Sequence, residues 1–97
     1  MRMMMKVTVP NEGGNRGIKD GSLPKLIGQF SEEHRPEAAY FLTEEGERTA
    51  FFFLDVKDAS QIPQLAEPFF LGLGAKVRFF PAMNAQDLKA GLEKVKL

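Results

Sequence analysis

Arg48-Thr49-Ala50-Phe51-Phe52-Phe53-Leu54-Asp55-Val56 is the stretch whose reading decides the fold. Successive side chains of a strand point to opposite faces of its sheet. Three consecutive phenylalanines therefore place bulky apolar groups on both faces, and both faces need cover. Just upstream, residues 37–44 read as a second strand, and Glu45-Gly46 suits a two-residue hairpin in which Gly46 supplies a positive φ. This register pairs Glu44 with Glu47, Leu42 with Thr49, Tyr40 with Phe51 and Ala38 with Phe53. One face then carries Ala38, Tyr40, Leu42, Thr49, Phe51 and Phe53. The other carries Ala39, Phe41, Thr43, Arg48, Ala50, Phe52 and Leu54, and neither is a solvent face. A slip of one residue would exchange the two faces.

Working outward, Met3 to Val9 alternates with period two and predicts a strand, ended by Pro10-Asn11-Glu12-Gly13-Gly14. Between Asn15 and Arg35, Leu23, Leu26, Ile27, Phe30 and His34 fall on one helical stripe. Gly21 and Pro24 interrupt it, which predicts a kink, or a short turn followed by a helix restarting near the cap residue Ser22. Arg35 precedes Pro36 and ends the helix. Asp58-Ala59-Ser60 caps a second helix with the stripe Ile62, Leu65, Ala66, Phe69, Phe70, Leu73. Pro63 is tolerated in its first turn, Pro68 should bend or shorten it, and Gly72 and Gly74 close it. Residues 75–82 form a fourth strand, and Asn84 caps a short final helix with Leu88, Gly91, Leu92 and Val95 on one side. The order is β-α-β-β-α-β plus a C-terminal helix. This predicts a single α+β domain over residues 1–97, a ferredoxin-like antiparallel four-stranded sheet with helices on one face.

Composition narrows the function classes. The length of 97 residues holds one core, so the chain's own helices cover one sheet face and a second subunit is expected on the other. Formal net charge is zero, which argues against a nucleic-acid binder held by phosphate contacts and against a polybasic membrane anchor. The aromatic sheet also lacks an RNP-like Lys/Arg-Gly-aromatic run. With no cysteine, disulfides, thiolate catalysis and Cys-ligated metals are excluded, and a cytoplasmic location suits the chain. The apolar run Met3-Met4-Met5 is far shorter than the roughly 7–15 residues a signal peptide needs. No metal site and no cofactor are expected: the one histidine has no carboxylate cluster around it.

The element order and the two-sided sheet resemble the dimeric α+β barrel superfamily. The stretch Glu67-Pro68-Phe69-Phe70-Leu71-Gly72-Leu73-Gly74-Ala75-Lys76-Val77-Arg78-Phe79-Phe80-Pro81-Ala82-Met83 is similar to the second helix and last strand of muconolactone-isomerase-like members. The resemblance implies a homodimer packed sheet against sheet. It also implies the family's range of activities, which includes isomerases, monooxygenases with haem or without cofactors, and stress-response proteins. No motif of one catalytic subgroup is present to carry over.

A basic set is the sharpest chemical candidate. If Met5, Val7, Val77 and Phe79 face the helices, then Lys6, Thr8, Lys76 and Arg78 share the other face. There Lys6 and Arg78 would favour a carboxylate or phosphate, or else would snorkel to water near a sheet edge. Tyr40 is the only tyrosine, a polar handle in an apolar setting, and Phe51 would line the same pocket. His34 is the only histidine, an acid–base candidate that also serves simply as a cation at a helix C-terminus. Gly13-Gly14-Asn15-Arg16-Gly17 lacks the Lys-Ser/Thr of a P-loop and reads as a flexible strand-to-helix loop. Two readings follow. One is a pocket for a small anionic or carbonyl-bearing molecule, or a cofactor-independent isomerase or monooxygenase-type enzyme, using Lys6, Tyr40, Phe51, Arg78 and His34. The other is a non-enzymatic dimeric interaction module.

Overall fold

The Phe51-Phe52-Phe53 strand lies inside a four-stranded antiparallel sheet of order β2-β3-β1-β4. The computed structural model describes residues 1–97. The strands are β1 (Arg2–Val9), β2 (Ala38–Glu44), β3 (Glu47–Asp55) and β4 (Lys76–Pro81). The helices are α1 (Asn11–Asp20), α2 (Ser22–His34), α3 (Ile62–Leu73) and α4 (Ala85–Leu92). An α+β architecture of this kind is compatible with a ferredoxin-like fold. The β2–β3 hairpin has the predicted register, from Ala38 opposite Phe53 to Glu44 opposite Glu47. Its two turn residues, Glu45 and Gly46, both have positive φ, 53° and 79°, as a two-residue hairpin with the strands' own twist requires.

The helices cover one face of the sheet. Met5, Val7 and Phe52 are fully buried there, with Leu54, Ala50, Met3 and Val9 close to it. Phe52 is the hub. Its ring lies 4.7 Å from that of Phe30 on α2, 6.1 Å from Phe69 on α3, and 5.8 Å edge-on from Phe41. Such tilted and edge contacts suit the aromatic quadrupole. From α3, Leu65, Ala66, Phe69 and Leu73 are buried, whereas Phe70 at the flank of the stripe is exposed.

Several local expectations are corrected. Gly13-Gly14-Asn15-Arg16-Gly17 is helix, not loop: α1 starts directly after Pro10, and the Gly14 N–H donates to the Pro10 carbonyl at 2.8 Å. The three glycines are buried against close neighbours, backbone at Gly13 and side chains at Gly14 and Gly17. A Cβ on Gly14 would stand 2.5 Å from Arg48 Nη1, and one on Gly17 would stand 2.9 Å from Leu23 Cβ. The glycines thus serve close helix packing. The break at Gly21 (φ 79°) gives two helices, and Pro24 falls in the first turn of α2, where no intrahelical N–H is lost. Ser22 is the first residue of α2 rather than its cap, and its N–H donates to Asp20 Oδ1 at 2.8 Å. Pro68 neither shortens nor ends α3, which runs on to Leu73 and closes on Gly74 in the left-handed conformation.

Asp58 opens a short 3₁₀ turn that leads into α3. Its Oδ1 accepts from the Ser60 N–H, while Gln61 Oε1 accepts from the Lys57 and Asp58 N–H groups. Asn84 caps α4 as expected, in a reciprocal pair with Asp87. The apolar side of α4, however, covers nothing of its own chain: no α4 residue is buried, and Leu88 and Leu92 are exposed. What ties α4 down is Arg2, whose guanidinium bonds Glu37 at 2.7 Å and Asp87 at 3.1 Å. No helix is long and apolar enough to cross a membrane.

Candidate functional site

The pairing registers place Tyr40, Phe51, Lys6 and Arg78 directly opposite one another, one from each strand, in a single row across the sheet. This row lies on the face without helices. The flanking rows there are Ala38–Phe53–Met4–Phe80 and Leu42–Thr49–Thr8–Lys76. Every anion-binding or pocket candidate from the sequence other than His34 is therefore brought together. The row is divided in chemistry: β2 and β3 give it two aromatic rings, and β1 and β4 give it two cations.

Lys6 is held in place by two contacts. Its Nζ lies 2.6 Å from Glu44 Oε1 and 5.7 Å from the centre of the Phe51 ring. Thr49 stands midway between Lys6 and Glu44 in the lattice of the sheet and is only 3% exposed, as expected if the lysine stem crosses over it. Lys76 and Arg78 are exposed on the edge strand β4, and neither takes part in an ion pair, unlike Arg2 and Lys6. Tyr40 is 61% exposed and Phe80 43%, while Phe51, Phe53 and Met4 are half-buried. The face is an open apolar surface with a basic edge, and no cavity in the single chain is lined by Tyr40 and Arg78.

His34 lies elsewhere. It ends α2, its ring 4.8 Å from that of Phe30, which in turn stacks on Phe52. The sheet therefore stands between His34 and Tyr40. The nearest acid is Glu33, at 3.9 Å from His34 Nε2. No group of three or more carboxylates and imidazoles converges anywhere in the chain.

A concavity missed from the sequence lies between α2 and the β2–β3 hairpin. It measures about 340 Å³ and is lined by Val9, Leu23, Ile27, Phe41 and Ala50 among others. The signal for it was weak: Phe41 shares the core face with Phe52, yet it is 56% exposed because its strand is at the edge of the sheet.

No protein-family model, no curated protein and no solved structure matches this chain significantly.

Proposed function

We propose that the chain works as a homodimeric interaction module, two copies meeting through the open face of the sheet. The row Tyr40–Phe51–Lys6–Arg78, on the face the helices leave bare and exposed at its two ends, Tyr40 and Arg78, carries this reading. Association would remove the apolar surface of Tyr40, Phe51, Phe53 and Phe80 from water, at roughly 25 cal/mol per Å². The zero net charge means that two copies do not repel each other as wholes.

A second reading is favoured by the unpaired Lys76 and Arg78. In it, a small anionic or carbonyl-bearing molecule sits between the two sheets, held by these cations and by the Tyr40 hydroxyl. A cofactor-independent isomerase or monooxygenase reaction at that place would fall to Tyr40, because His34 is on the far side of the sheet.

Sedimentation equilibrium tests the dimer. The wild type is expected to be a dimer at micromolar concentrations. The double variant Phe51→Glu/Phe53→Glu is expected to be a folded monomer by the same measurement and by circular dichroism. A wild type that stays monomeric throughout that range overturns the reading.

A further inference from the structure

The division of the central row into an aromatic half and a cationic half has a geometric consequence for how two copies meet. Two sheets packed face to face keep their strands within about 30° of alignment and stand ~10 Å apart. A two-fold axis lying between them can then run along the strands or across them. An axis along the strands keeps each row at its level and exchanges the edges, so β2 of one copy lies over β4 of the other. An axis across the strands keeps the edges and reverses the rows, so β4 lies over β4.

We infer that the two copies pack with their two-fold axis parallel to the strands, so that Arg78 and Lys6 of one copy lie over Tyr40 and Phe51 of the other. This rests on the dimer reading above. In this arrangement Arg78, exposed and without an ion-pair partner in its own chain, meets the aromatic face of Tyr40, a contact that stabilises a desolvated guanidinium. Met4 lies over the Phe53 ring of the second copy, a favourable sulfur–aromatic contact. Lys76 lies over Leu42 of the facing edge. The crossed arrangement instead sets the unpaired Arg78 against its own copy when centred on this row. Like charges facing each other across a desolvated interface are strongly disfavoured.

The chain has no cysteine, so single thiols can be introduced without background. Leu42 and Lys76 belong to one row on opposite edge strands. Leu42→Cys and Lys76→Cys chains, co-folded from an equal mixture, are treated with a short bifunctional thiol reagent matched to the ~10 Å between packed sheets. Cross-linked dimers are expected in the mixture and in neither variant alone. Linking within either variant alone, or none in the mixture while sedimentation shows a dimer, overturns the axis and leaves the dimer standing. A monomeric wild type overturns both.

Discussion

Gly13 is the position where a single atom decides most. A β-carbon built on it would stand 2.0 Å from the Leu73 carbonyl oxygen, so α1 and α3 approach there to a distance that only glycine permits. The obstacle is backbone, which cannot turn aside as a side chain can. Gly13→Ala is therefore expected to destabilise the chain by more than about 2 kcal/mol, at the upper end of overpacking effects. Gly28→Ala, on an exposed stretch of α2 with open space around it, should be neutral or slightly stabilising. Urea denaturation of the two variants checks the contrast, and equal midpoints would remove the packing role. The sequence misled at this place for a physical reason. Glycine's low helix propensity and its frequency in turns both favour a loop at residues 13–17, and nothing local reveals that Leu73 will be the neighbour. The phenylalanines were legible because alternation is a local property: Phe52 is buried by the helices and Phe51 is not, as the strand pattern requires.

Among the elements, the hairpin and the caps were the most readable. A two-residue turn fixes the register, and the register fixes which side chains share a row. The pairing of Tyr40 with Phe51 therefore followed from Glu45-Gly46, whereas the placing of Lys6 and Arg78 in the same row depends on the β1–β3 and β1–β4 registers, which no tight turn specifies. What no strand pattern could give was the absence of a closed pocket around them, which depends on what covers the sheet. The cap at Asp58 gives a pH prediction. Its carboxylate accepts the Ser60 backbone N–H, which is the main cause holding the Asp58 carboxyl below its usual value of 3.8. A carboxyl depressed in the folded state contributes stability that is present above its unfolded pKa and lost as pH falls through the folded one. Asp55, held down by the N-terminal ammonium at 3.0 Å, and Asp20, held down by Ser22, act with the same sign. Asp58→Asn keeps a side-chain acceptor for the cap but cannot titrate. The variant is expected to lose less stability than wild type between about pH 4 and pH 2. Urea midpoints across that range provide the measurement, and an acid loss identical in both chains would show that the cap carboxylate does not contribute.

Taken as a whole, the molecule is long for its length in residues. Its radius of gyration is 15.4 Å, against about 12.5 Å for a compact chain of this size, and its longest extent is 54 Å. None of the residues of α4 is buried, and it adds nothing to the 15 buried apolar residues of the core. Here the sequence is silent for a physical reason: the amphipathic pattern of α4 says that a face is apolar, not which chain covers it. The same holds for the sheet, whose two apolar faces were legible while only one is covered within the chain. If copies associate through the open face as proposed, that association is part of the folding equilibrium. If two copies unfold together, each tenfold rise in protein concentration adds about 1.4 kcal/mol per dimer to the apparent stability. The wild-type urea midpoint is therefore expected to climb steadily over a hundredfold concentration range. In Phe51→Glu/Phe53→Glu the midpoint should be lower and flat, because the helix-covered face alone then holds the fold. A flat wild-type midpoint would mean that the open face stays in water, and that the aromatic half of the row is stabilised only by its neighbours within the sheet.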